Sequence, residues 1–371
     1  MKKSVFIASL LLAGGSAFAQ NNTSTTTQSG DSHTATVTQA GSTNGSTISQ
    51  AGNNNTATAT QNGSSNSATQ NQEGFLGLNT AAINQSGSLG IATQNQLGAI
   101  TTGNSATITQ IGNGVASNTA SQSQNNAAEF NTAVVSQNGG GNTASQQQNQ
   151  ATVGNEAYIT QTGSSHSATQ SQNSVTAANE AVITQYASNN IATQSQSFAS
   201  GSNYASATQS GSGNSSAQSQ ETLSNGNQII TLQSGDGNSA SQEQNGDLGF
   251  FGFGSYSTDD NYAYIEQSGD GNIADQKQYD GGNSSANILQ SGNDNEAYSV
   301  QIGSNHSVDI DQTSDLNDVW VDQNGDGISA TVLQEMGSSN YADIDQTGDD
   351  HMSTVTQSGS NNTATITQNN L

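Results

Sequence analysis

From Asn22 to Gln368 the chain repeats a seven-residue frame of alternating positions, seen most plainly in Asn362-Thr-Ala-Thr-Ile-Thr-Gln368. Strand side chains alternate with a period of two, so Asn362, Ala364, Ile366 and Gln368 share one face and Thr363, Thr365 and Thr367 the other. Three threonines and an isoleucine in seven residues favour strand over helix. Counted back from its closing glutamine, the frame recurs 29 times, with Asn six residues earlier in 22 copies and Ala four residues earlier in 22. Such a beat predicts an all-β solenoid of strand-turn-strand rungs, with two facing parallel in-register sheets in a cross-β architecture.

The spacing of the frames adds detail. From Asn22 to Gln72 they follow every 11 residues, a seven-residue strand and a four-residue turn. The turn is often x-Gly-x-x, and Gly163, Gly211, Gly235 and Gly269 occupy its glycine slot, where a tight reversal commonly needs positive φ. Between Gln61 and Gln290 the frames pair into units of about 24 residues, and the residue two before the closing glutamine alternates between glutamine and a mostly aliphatic residue. The inward ladder is predicted to run through Asn155, Ala157, Ile159 and Gln161, then Ala168, Gln170 and Gln172. It continues through Asn179, Ala181, Ile183 and Gln185, then Asn190, Ala192, Gln194 and Gln196, and reaches Asn362, Ala364, Ile366 and Gln368. One sheet then contributes aliphatic groups and the other amides. Stacked ~4.8 Å apart, each glutamine can donate to the next and accept from the last, which removes the cost of burying it. At two strands per rung the chain predicts 14 to 15 rungs, a stack of roughly 70 Å.

Neither the first frame nor the last is flanked by a helix, proline or lysine that would guard an open edge, so both edges are expected to recruit further copies. Large apolar residues are too few for a conventional core, and strand stacking must supply the stability, at a net ~1 kcal/mol per hydrogen bond. Residues 1–19 read as a secretory signal, with Lys2 and Lys3, an apolar run from Val5 to Ala13, and Ala17-Phe18-Ala19 before the cut. Residues 20–371 then form a single repeat domain with a loop insertion near 245–260. No later apolar run is long enough for membrane insertion. Beyond the signal, Lys277 alone stands against 28 acidic residues, leaving a formal charge of −27 that argues against nucleic acid. Cysteine and proline are absent: no disulfide staples the fold, and every residue can donate to a ladder.

The interruptions and titratable groups offer little chemistry. Asn245 to Asp260 carries Phe250, Phe251 and Phe253, which fit either a bulged turn or an exposed adhesive patch for lateral bundling. Gly74-Phe75-Leu76-Gly77-Leu78 carries the same choice. His33, His166, His306 and His351 all sit in the Asn slot, spread too far apart for a metal site. Scattered serines without a His and Asp arrangement give nucleophilic catalysis no support. No catalytic residue, cofactor or metal is expected. The aspartates of Gly235-Asp236-Gly237, Gly269-Asp270-Gly271 and Gly325-Asp326-Gly327 read as solvated turn acids or weak cation binders, and their mutual repulsion should restrain self-association.

Units such as residues 203–220 and 261–278 resemble the curlin repeat of bacterial curli subunits, Q-x-G-x-x-N-x-A-x-x-x-Q. The resemblance covers essentially residues 22–368. It implies a structural subunit of secreted, extracellular amyloid fibres that build biofilm matrix and mediate adhesion. It also implies export through a dedicated outer-membrane channel and a nucleating minor subunit as partners, besides other copies of the chain. Family members commonly carry a short targeting segment after the signal, whereas here only Gln20 and Asn21 precede the first frame. Two alternatives compete with the fibre: a repetitive adhesin that does not polymerise, and an ice-binding solenoid using outward Thr-x-Thr arrays such as Thr34 to Thr38. The latter face is interrupted by Tyr158, Tyr262, Tyr264, Asp343 and Asp345.

Overall fold

The computed structural model describes residues 21–74, 77–98, 103–125, 130–150, 154–173, 178–197, 202–221, 225–246 and 259–370, and among these it contains 29 β-strands and no helix. The signal-like residues 1–19, Phe75 and Leu76, and Phe250, Phe251 and Phe253 lie outside the described residues.

The chain divides into two units, Met1–Asn173 and Ser174–Leu371. The first holds β1 (Thr23–Asp31), β2 (Thr34–Ser42), β3 (Gly45–Asn53), β4 (Thr56–Ser64), β5 (Ser67–Gly74), β6 (Thr80–Ser88), β7 (Ile91–Leu97), β8 (Ser105–Gly112), β9 (Thr119–Asn125), β10 (Thr132–Gly140), β11 (Thr143–Asn149), β12 (Glu156–Ser164) and β13 (Ser167–Asn173). The second holds β14 (Glu180–Ser188), β15 (Ile191–Ser197), β16 (Tyr204–Ser210), β17 (Ser215–Glu221), β18 (Gln228–Ser234), β19 (Ser239–Asn245), β20 (Tyr262–Ser268) and β21 (Ile273–Tyr279). It continues with β22 (Ser285–Ser291), β23 (Glu296–Ser304), β24 (Ser307–Gln312), β25 (Asp318–Asp326), β26 (Ser329–Glu335), β27 (Tyr341–Thr347), β28 (Met352–Ser358) and β29 (Thr363–Asn369).

Within each unit the odd-numbered strands form one parallel sheet and the even-numbered strands the other, so the chain climbs one level with every strand-turn-strand pair. This is the β-solenoid expected from the beat. Register follows the frame residue for residue: Ala144, Gln146 and Gln148 lie beside Ala168, Gln170 and Gln172, and Ala342, Ile344 and Gln346 beside Ala364, Ile366 and Gln368. A slip by one residue would turn every buried side chain outward, so the frame fixes the pairing.

The interior differs between the sheets as the alternation requires. In the first unit Ile83, Ile108, Val135 and Ile159 form a buried column on the even sheet, facing Gln70, Gln94, Gln122, Gln146 and Gln170 on the odd sheet. The second unit repeats this with Ile183, Ile265 and Ile288 against Gln194, Gln218, Gln242 and Gln276. Thr231 interrupts its aliphatic column, and its hydroxyl is held by the facing ladder, accepting from Gln218 at 3.1 Å and donating to Gln242 at 2.8 Å. Beyond β21 the glutamine slot passes to Ser299, Val321 and Ile344, and both sheets become aliphatic around Ile288, Ile310 and Val332.

Candidate assembly edges

The closing glutamines do more than stack. Gln50 Nε2 donates to Gln72 Oε1 at 2.8 Å and, across the interior, to the backbone carbonyls of Thr34 and Asn55, both at 3.0 Å. Gln209 shows the same arrangement in the second unit, accepting from Gln185 and donating to Gln233 and to the carbonyl of Ile191 in the facing sheet. The second ladder crosses likewise, with Gln146 bonded to the carbonyl of Val134 and Gln242 to that of Ile230. A backbone carbonyl has two lone pairs, and the parallel ladder uses one; the glutamine takes the other. The amides therefore bind the sheets to each other as well as each rung to the next. Because a carbonyl can only accept, these cross-bonds fix Nε2 as the donor and orient every ladder the same way along the chain.

Asparagine closes the turns. The backbone N–H of Asn44 donates to Asn22 Oδ1 at 2.9 Å, while Asn44 Nδ2 donates to the carbonyls of Ala40 and Gly63. The histidines reproduce part of this pattern: His306 Nε2 lies 3.1 Å from the carbonyl of Ile302, four residues back, and His351 Nε2 lies 3.0 Å from that of Thr347. His166 and His306 are fully buried, and burial lowers the pKa of His306. Gly163, Gly211, Gly235 and Gly269 all have positive φ. The residue just before each frame's Asn is also left-handed in most turns, whether Asn54, Ser65, Asp294 or Leu316. That second position was not read from the sequence, although Gly213, Gly237, Gly271 and Gly327 mark it. The turn acids also have a role the sequence did not disclose: Asp236 Oδ1 accepts the N–H of Ser212, and Asp270 Oδ1 that of Asp236.

The ladder residues named from the sequence occupy two environments. Asn155, Ala157, Ile159, Gln161, Ala168, Gln170 and Gln172 are buried, as are Asn179, Ala181, Ile183, Gln185, Asn190, Ala192, Gln194 and Gln196. Asn362, Ala364, Ile366 and Gln368 point the same way but are only half-buried, because β29 is the last strand of its sheet. At the first-unit end, β1 is almost wholly exposed, and no donor reaches the Oε1 of Gln28 or Gln39 among the described residues. At the other end Gln357 and Gln368 accept from Gln334 and Gln346, but their own Nε2 groups donate only across the interior, to the carbonyls of Tyr341 and Met352, leaving an Nε2 proton free on each. One edge thus presents acceptors and the other donors.

The outward threonines of β2 and β4 lie in register, Thr34, Thr36 and Thr38 beside Thr56, Thr58 and Thr60. The array stops short of Tyr158 on β12 and of Tyr262 and Tyr264 on β20.

No curated protein matches the chain. Residues 19–52, 281–313, 315–348 and 337–369 match the model of the curlin associated repeat, and each matched segment falls on strands that stack with the frame in register. The chain carries the curlin associated repeat.

Proposed function

We propose that the chain is the structural subunit of a secreted, extracellular curli-type fibre, exported after removal of residues 1–19. It polymerises by edge addition, the β28 and β29 of one copy seating the β1 and β2 of the next. The observation that carries this reading is the complementarity of the two open edges, Gln357 and Gln368 with free donors at one and Gln28 and Gln39 with free acceptors at the other. Stacked in that sense, the glutamine ladders and backbone ladders continue across the junction, whereas two like edges would oppose donor to donor. A fibre so built serves as biofilm matrix and adhesive, with a secretion channel and a nucleating subunit as its partners in the cell.

Electron microscopy and fibre diffraction of the purified mature chain test this directly, the expected result being unbranched fibres with meridional intensity at ~4.8 Å. Ile366→Lys places a charge on the inward face of β29 and should leave a folded monomer that no longer elongates. Fibre growth of that variant at the wild-type rate, or a wild-type chain that sediments only as monomer, would overturn the proposal; the second outcome is the non-polymerising adhesin.

A further inference from the structure

Part of the outer face of the odd-numbered sheet in the second unit carries aromatic rings and carboxylates in place of threonine and serine. Tyr298 of β23 and Trp320 of β25 are register neighbours whose rings stack with centroids 4.1 Å apart and planes 18° from parallel. Trp320, the one tryptophan of the chain, is 45% exposed, with Tyr298 stacked on one face of its ring. The next residue in register beyond each ring is an aspartate, Asp275 beside Tyr298 and Asp343 beside Trp320. An aspartate is shorter than an indole, so the outer part of the exposed ring face has a carboxylate alongside it and no ring above it.

At the Tyr298 end the chain supplies its own cation: Lys277 Nζ lies 3.0 Å from Asp275. At the Trp320 end there are four carboxylates, those of Asp318, Asp322, Asp343 and Asp345, and no basic residue on β25, β27 or β29. The one cation a second copy could offer beyond the signal is Lys277, which is already paired with Asp275, and the chain has no arginine.

We propose that this face of β25 and β27 docks an extended, arginine-bearing peptide, with one guanidinium lying over the Trp320 ring and donating to Asp343. A guanidinium is planar, stacks on an aromatic face and presents a fork of donors to a carboxylate, which an ammonium does not. Alternate residues of an extended peptide are ~6.7 Å apart, the same separation as Asp343 and Asp345 on their strand, so an Arg-x-Arg segment running along β27 places a second guanidinium at Asp345. The surface is distinct from the edges used in assembly, and its occupancy does not depend on polymerisation.

The test is titration of the mature chain with a short Ser-Arg-Thr-Arg-Ser peptide and its lysine counterpart, read by Trp320 fluorescence and by calorimetry. The arginine peptide is expected to perturb the fluorescence and to bind about tenfold tighter than the lysine peptide. Asp343→Asn with Asp345→Asn should weaken it about tenfold. Trp320→Thr, read by calorimetry, should abolish the preference for arginine. Asp236→Asn with Asp270→Asn, in the turns, should change nothing. Equal binding of the two peptides, a preference that survives Trp320→Thr, an equal loss from the turn variant, or no binding at low salt would each overturn the proposal.

Discussion

Gln244 Nε2 donates to Gln278 Oε1 at 2.8 Å across 34 residues of sequence, while the rungs before and after make the same bond across 24 and 23. The backbone pairing at this level is also undisturbed, Ala240 beside Ala274 and Gln242 beside Gln276. The extra sequence between Gln244 and Asn261 therefore leaves the glutamine ladder and the strand register on either side of it unchanged.

Deleting residues 247–258 joins Gly246 to Asp259 and leaves a four-residue arc before Asn261, the length of the ordinary turn. The urea midpoint should correspond to a stability within about 1 kcal/mol of the parent, since the length of a connection has little thermodynamic weight. Lys277, in mid-strand on β21, should stay resistant to trypsin in parent and variant alike. Unfolding at a clearly lower denaturant concentration would assign the insertion a structural role.

Removing a ladder amide should be more damaging than its size suggests. Gln209→Leu takes from Gln185 its acceptor in the next rung, from Gln233 Oε1 its ladder donor, and from the carbonyl of Ile191 its second partner. Each orphaned buried group costs about 1–3 kcal/mol, so a total loss of ~3 kcal/mol or more is expected by denaturant unfolding. Ile288→Ala, which only opens a cavity, should fall at about 2–5 kcal/mol. A Gln209→Leu change of under ~1 kcal/mol would mean that the amides act as filler.

The alanine slot permits the opposite experiment. Ser216 and Ser299 stand at inward positions, in the alanine and glutamine columns respectively, and their buried hydroxyls have no partner. Ser216→Ala and Ser299→Ala should each stabilise the second unit by about 1 kcal/mol, a gain visible in the unfolding midpoint. Gln70 Oε1 lacks a donor for a related reason: its register neighbour toward the start is Ile48, so the second glutamine ladder begins there.

Which faces are buried, how the strands pair and which sheet carries glutamine were all legible from the frame, because in-register stacking makes one strand's pattern the pattern of its neighbours. The alternation of Gln170 with Ile159 and Ile183 assigns the sheets without reference to distance. The cross-bonds, such as Gln146 to the carbonyl of Val134, were not legible, since they depend on how closely the sheets approach, which no spacing encodes. The capping role of Asp236 was hidden for another reason: aspartate is equally common in solvated turns, and only the register of Ser212 against it reveals the bond. The half-burial of Ile366 follows from its place on the last strand rather than from its frame.

Gly269 tests the turn. Its φ is +107°, and a Cβ there would meet the backbone carbonyl of Gly292 on the next rung, which no side-chain rotation can relieve. Gly269→Ala should therefore lower stability by about 2 kcal/mol or more. Gly154, with φ +77° and open space around the same point, should accept asparagine at a cost below ~1 kcal/mol. Equal effects at both positions would show that turn strain, not the stacked neighbour, governs.

The acids of the second unit set its response to pH. Burial raises the carboxyl of Asp318, with Glu296 and Asp343 adding to it and the Trp320 N–H opposing. Burial also raises Asp322, helped by Asp345, and Asp311, helped by Asp309 and Glu335. A carboxyl whose folded pKa exceeds its ordinary 3.8 binds protons more readily in the folded state. Its contribution to stability is then complete below that value and is lost as pH rises through the raised one. His306 acts in the other sense, its stability contribution present above 6.5 and lost as pH falls through its lowered value. Replacing Asp311, Asp318 and Asp322 together by asparagine should therefore raise the urea midpoint relative to the parent, by a margin that grows from acid toward neutral pH. His306→Asn, which restores the residue most frames carry, should remove the loss on the acid side alone. A margin for the triple variant that stays constant with pH would show that these carboxylates titrate alike in the folded and unfolded chain.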